Sequence, residues 1–109
     1  MADIATARFV KAMNDKFPVE NPWDKVFTFT EGQKYDRVVH GDSVFAFVDR
    51  ATNELVKPDS WRKPAKNSRG ETAGKYYLVG EGFDVAVHNA TRHGSFLYKD
   101  YVVAPLPEN

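Results

Sequence analysis

The chain has 109 residues, with fifteen Lys or Arg against fifteen Asp or Glu and a formal net charge of +0. That length suits one domain with a core of its own, and 42% hydrophobic with 14% aromatic residues fits a packed globule rather than a disordered segment. The absence of cysteine excludes disulfides, thiol chemistry and zinc–thiolate sites, and the balanced charge leaves no long-range field to steer the whole molecule onto nucleic acid.

The opening Met1–Ala5 lacks the basic and apolar regions of a signal peptide. No apolar run approaches the roughly 20 residues that span a bilayer. The expectation is a soluble cytoplasmic protein with no membrane partner. Asp3 is placed to cap a helix over Ile4–Lys16. Thr6, Phe9, Val10, Met13 and Phe17 fall on one face of it at helical spacing, and Pro18 ends it. This stripe reads as core packed on a sheet. In the connector that follows, Trp23 is expected to lie as a lid where helix meets sheet.

The period then changes to two. Val26–Thr30, Tyr35–His40 and Ser43–Asp49 read as strands, joined by a turn at Glu31–Lys34 and a tight turn at Gly41-Asp42. Alternation places Val44, Ala46 and Val48 on one face, and Phe45 and Phe47 on the other. Asp49–Glu54 suits a type I turn plus bulge with Asn53 left-handed, so Phe45–Asp49 should pair with Glu54–Lys57. Pro58–Gly74 has no strand pattern, and Pro58–Lys63 fits a single helical turn. Lys75–Val79 resumes as a strand. Phe83–His88 fits either an alternating strand or a short helix. Ser95–Val103, rich in Tyr, Val and Phe, is expected to be extended, and 104–109 reads as a flexible tail. The fold class is therefore α+β: one domain over 1–109, an N-terminal helix packed on an antiparallel β-meander. The loop Lys57–Gly74 returns over the sheet, held by Trp61.

Charge is unevenly spread. Between Lys57 and Lys75 six bases (Lys57, Arg62, Lys63, Lys66, Arg69, Lys75) stand against Asp59 and Glu71, a local charge of +4. Lys57, Trp61, Arg62, Lys63, Lys66 and Arg69 are the candidate binding residues. Cations neutralise phosphates while an aromatic face stacks on an unpaired base. The same island would also meet an acidic protein surface. Its structural alternative is a solvated loop with Trp61 as a core anchor, covered by lysine stems.

Nothing else in the chain assembles chemistry. His88 and His93 are five apart, not the i, i+4 spacing of a zinc helix, and His40 sits at a strand end. The serines lack a nucleophile elbow, and Gly80-Glu81-Gly82 is too short for a phosphate cradle. No catalytic residue, metal site or cofactor is expected, so the chain reads as a non-enzyme.

Two stretches carry a resemblance. Phe47-Val48-Asp49, a short turn, and then Lys57-Pro58, Trp61, Pro64-Ala65-Lys66 and Arg69-Gly70 follow the run F-V-D…K-P-x-x-W-x-x-P-A-K-x-x-R-G. Gly32, Lys34-Tyr35-Asp36-Arg37 and Val38 follow G-x-K-Y-D-R-I. Over roughly Val26 to Gly70 the chain thus resembles a family of small uncharacterised tailed-bacteriophage proteins. The likeness implies a virus-encoded protein acting in the host bacterial cytoplasm, and it supplies no catalytic residues. The functional expectation is a phage accessory protein that binds nucleic acid through the basic, Trp-bearing loop. A host-takeover protein that binds a bacterial protein and a minor virion or assembly factor are the alternatives.

Overall fold

The computed structural model describes residues 4–66, 69, 76–99 and 101–105. It is an α+β fold: α1 (Ile4–Lys16), β1 (Phe27–Thr30), β2 (Tyr35–His40), β3 (Ser43–Asp49), β4 (Glu54–Val56), β5 (Tyr76–Tyr77), α2 (Glu81–Asn89) and a 3-10 turn (Ser95–Tyr98). The five strands form one antiparallel sheet in chain order. The expected first helix, meander and hairpins are all present. The capping role given to Asp3 lies outside the described residues, as do Lys75 and 106–109.

Helix α1 buries Phe9 and Met13 completely, beside Ala5 and Val10. They join Phe27, Val38, Ala46, Val48 and Leu55 in one cluster. Burying side chains of this size is worth about 1.5–3 kcal/mol each. Asn14 ties the helix to the sheet's first strand. Its amide donates to the Phe27 carbonyl at 2.9 Å, and its oxygen accepts the Phe27 N–H at 2.8 Å. Such a clasp satisfies backbone groups that an edge strand leaves open. One turn further on, Lys16 Nζ donates to the carbonyls of Val87, His88 and Ala90 at 2.7, 3.1 and 2.9 Å. A cation thereby closes the C-terminal end of α2, where unpaired carbonyls and the helix dipole favour positive charge.

Turn chemistry sets the hairpins. The Asp49 carboxylate accepts the N–H groups of Ala51 and Thr52 at 2.8 and 3.3 Å, and Asn53 takes φ 62. The strict alternation expected for β3 fails at one place. Val38 pairs with Ala46 but Val39 pairs with Val44, so Phe45 is an extra residue. This bulge turns Phe45 into the core beside Ala46, and Phe47 keeps the outer face.

Two other expectations change, and one open reading is decided. Of the two readings for Phe83–His88 the helix holds: it is part of α2, which buries Ala86 and packs Phe83 and Val87 against the core. Ser95–Tyr98 is a 3-10 turn rather than extended. It buries the consecutive residues Phe96 and Leu97, which a strand would point to opposite sides. Gly94 at φ 80 and Thr91, whose hydroxyl accepts the Phe96 N–H at 3.2 Å, fix that turn. Trp23 is no lid, being 72% exposed. Phe17 takes that place, its ring 6.4 Å from that of Phe27.

At the centre of the helix–sheet interface lies a fully buried carboxylate, Asp36. The hydroxyl of Thr6, on α1, donates to it at 2.8 Å. Arg50, at the β3–β4 turn, approaches its other oxygen at 3.7 Å. The Arg50 guanidinium also donates to the Gly32 carbonyl, and its backbone N–H to the Lys34 carbonyl at 3.0 Å. Removing one partner of a buried ion pair costs about 3–5 kcal/mol. Arg50 is partly exposed, so Arg50→Met should cost about 2–3 kcal/mol. Thr6→Val should cost about 2 kcal/mol, the worth of a hydrogen bond to a charged group. Both should lower the urea midpoint of unfolding while leaving the slope unchanged.

Candidate functional site

Because Asp36 and Val38 point into the core, Tyr35 and Arg37 point outward. Arg37 stands opposite Phe47 in the register. Phe47 is buried yet lies outside the main core cluster. Tyr35 meets it edge-on at 6.2 Å, and the Arg37 guanidinium lies 6.0 Å from its ring centre. A small second layer therefore sits on the solvent side of the sheet.

The segment after β4 completes that layer. It is a looped-back hairpin, not the single helical turn its sequence suggests. Pro58 bridges Pro64, the N–H groups of Asp59 and Ser60 both reach the Lys63 carbonyl at 3.0 and 3.2 Å, and Ala65 donates to Lys57 at 2.9 Å. Pro64 is buried and anchors the return. At the tip, Arg37 Nε donates to the Trp61 carbonyl at 2.7 Å. The same guanidinium stacks 4.7 Å from the centre of the Trp61 ring. The result is a sandwich of Phe47, Arg37 and Trp61. Trp61 remains 45% exposed, so it is not the core anchor. The ring rests on a cation, and nearly half of the residue's surface meets solvent.

The other candidate residues divide. Arg62 is exposed and lines a cleft of about 220 Å³ with Tyr35, Arg37, Phe47 and the turn Thr30–Gln33, whose Glu31 is the one carboxylate in that lining. Lys63 and Lys66 are exposed and flank a second open cleft with Pro64 and Asp59. Lys63 pairs with Asp59 at 3.6 Å, a surface contact of little energetic weight. Lys57 turns aside: its Nζ lies 5.1 Å over the Tyr98 ring, not over Trp61. Arg69 is exposed. The structure thus gathers Trp61 and Arg62 around Arg37, sets Lys63 and Lys66 beside them, and leaves Lys57 at the margin. Of the tyrosines that follow, Tyr76 is buried and Tyr77 exposed. The Glu54 carboxylate, which accepts from the Tyr77 hydroxyl at 3.3 Å, pushes that phenol's pKa up.

Sequence reasoning missed Arg37, Tyr35 and Phe47. Their signal was the period of two along β2 and β3, which already put Phe47 on the face away from Ala46 and Val48. Among the described residues, no three His, Asp or Glu side chains converge as a metal site would require, and no helix is long and apolar enough to cross a membrane.

Sheet, helices and cation-backed aromatic define a small α+β protein whose most distinctive surface is the outer face of its meander. The chain belongs to a family of unknown function, DUF7717, whose pattern matches residues 4–99. No curated protein and no solved structure matches it.

Arg37 holds the loop by two contacts, a charge-assisted hydrogen bond and a cation–π stack, together worth about 1–2 kcal/mol. Arg37→Met should loosen the 58–64 loop. Limited trypsin digestion is expected to cut faster after Arg62, while the sheet core stays resistant; Lys63 precedes Pro64 and is no trypsin site.

Proposed function

We propose that this protein binds single-stranded nucleic acid across the outer face of its sheet, as a bacteriophage accessory protein with no catalytic role. One observation carries the reading: a half-exposed Trp61 ring held against the Arg37 guanidinium, with Arg62, Lys63 and Lys66 exposed around it. A base stacks well on such a ring, at about 1–3 kcal/mol per base. A duplex offers no unpaired face to it, so single strands are favoured. The surrounding cations suit the phosphates on either side. Since the whole molecule is neutral, attraction is local and short-ranged. The phage-like run spans this loop, including Lys57, Trp61, Pro64, Lys66 and Arg69, and supports a virus-encoded protein at work in the infected bacterial cytoplasm.

A fluorescent oligothymidine in low salt tests the proposal by anisotropy. Binding should weaken as salt rises, and Lys63→Glu and Lys66→Glu should each flatten the log–log salt slope by about 0.7. Trp61→Ala should cost about 1–3 kcal/mol with the slope unchanged. If neither single- nor double-stranded oligonucleotide binds at low salt, the reading is wrong. The same face would then be tested against host proteins by pull-down and for virion association by mass spectrometry of purified particles.

A further inference from the structure

A second concave surface lies on the core side of β2, at the end of the strand away from Tyr35. Two glycine turns build it. At Gly41 (φ 65) a Cβ would meet Lys25 Cγ at 2.7 Å, so the Lys25 stem lies across this turn where residue 41 has no side chain. Gly94 (φ 80) closes the second turn beside the Phe45 ring, and His93 precedes it. His40 stands between them. Its ring stacks on Phe27 at 4.1 Å and 5°, and its Nε2–H donates to the Lys25 carbonyl at 3.1 Å. The His93 ring lies 5.9 Å from that of His40.

Two adjoining clefts share Lys25, His40 and His93. The larger, about 400 Å³, adds Ser43, Val44 and Phe45, with no carboxylate in its lining. The smaller, about 230 Å³, adds Trp23, Asp24 and Arg92. Asp24 is engaged on both oxygens: one meets Arg92 at 3.2 Å, and the other accepts the N–H groups of Glu20 and Asn21 at 2.9 and 3.0 Å. These bonds, the Glu20 N–H foremost, hold its carboxyl below the usual range. Trp23, 72% exposed, lines the same cleft as Lys25 and Arg92.

We propose that this double cleft binds a phosphate attached to an aromatic base, a nucleoside monophosphate or the 5′-phosphate end of a strand. The phosphate belongs in the larger cleft, which offers the Lys25 ammonium, two imidazoles and the Ser43 hydroxyl and no opposing charge. The base belongs on Trp23, where Asp24 would repel a phosphate but can accept from an amino group. Two exposed groups of opposite character, a tryptophan face and a cluster of cations, then serve one ligand.

His40 gives the site a pH signature. Burial first of all, then the neighbouring His93 and Arg92, lower its pKa, against the Lys25 carbonyl and Asp24, which raise it. The free protein therefore keeps His40 uncharged at neutral pH. Its folding stability should fall as pH drops below about 6.5 towards the lowered value, because the unfolded chain binds the proton there more readily. A bound dianion favours the imidazolium, so ligand binding takes up a proton.

The test uses Trp61→Phe, which leaves Trp23 as the sole tryptophan of the two in the chain. Adenosine monophosphate should quench Trp23 saturably, and inorganic phosphate should compete with it without quenching. Lys25→Met with His93→Gln should weaken binding about tenfold or more; both side chains are exposed, and a thermal melt checks that folding is kept. Sulfate, whose charge is constant over this range, should compete better at pH 6 than at pH 8. A 5′-phosphorylated dinucleotide that binds tighter than the mononucleotide supports a strand end, and the reverse supports a free nucleotide. Absence of saturable quenching up to about 10 mM, or quenching unchanged in the double variant, overturns the proposal. Oligothymidine binding through the outer face is measured separately with Trp61 intact, so either site can fail alone.

Discussion

Asp36 has no access to solvent, and its charge is met by one hydroxyl and one guanidinium rather than by water. Burying a carboxylate is expensive, and a partly matched ion pair returns little net stability. What the arrangement does return is register. Thr6 reaches Asp36 from α1, and Arg50 reaches it from the β3–β4 turn while also holding the Gly32 and Lys34 carbonyls. Helix, second strand and two turns are thereby referenced to one pair of oxygen atoms. A slip of β2 by a single residue would drive Arg37 into the core and strand Asp36 in solvent.

That register has its consequence on the far side of the sheet. Alternation forces Arg37 outward once Asp36 is inward, and cross-strand pairing sets it over Phe47. The guanidinium is planar and weakly hydrated, so it can lie between two aromatic rings while its Nε–H reaches a carbonyl. It meets the Trp61 ring and the Trp61 carbonyl together. The loop tip is positioned without being buried. A tryptophan held this way loses less freedom on meeting a ligand than one on a free loop, which is the physical content of preorganisation.

Much of this fold could be read from the sequence, because its signals are local. Gly41-Asp42, Asp49 and Asn53 demand the backbone conformations they adopt, and the stripe from Phe9 to Met13 needs only a helix to make a face. The failures share a different cause. The bulge at Phe45 depends on pairing with Val38 and Val39, which lie on another strand. The 3-10 turn at Ser95–Tyr98 overrides an aromatic, strand-like composition, because Phe96 and Leu97 must both enter the core. The partner of Trp61 was out of reach for the same reason: Arg37 lies 24 residues away along the chain. The candidate loop was visible as composition, but its geometry depends on a strand that composition does not connect to it.

A formal charge of zero conceals a division of labour between the two signs. Several acids accept from the chain's own donors. Asp24 accepts from Glu20 and Asn21, Asp49 accepts from Ala51 and Thr52, and Asp36 accepts from Thr6. A carboxylate can take several N–H or O–H donors at once, so acids suit the closing of turns. Lys16, Arg37 and Arg50 serve backbone carbonyls in the same way, at the end of α2, at Trp61 and at Gly32, but Lys25, Arg62, Lys63 and Lys66 stay exposed. Net neutrality therefore still leaves cation-rich surfaces on both sides of β2. Their reach is set by screening, about 10 Å at 0.1 M salt. Neither can draw a polyanion from a distance, so a ligand at either proposed site would have to be held by contact. An aromatic ring beside the cations in both places is what such a contact would use: stacking would supply the short-range attraction that a neutral molecule cannot supply through its field.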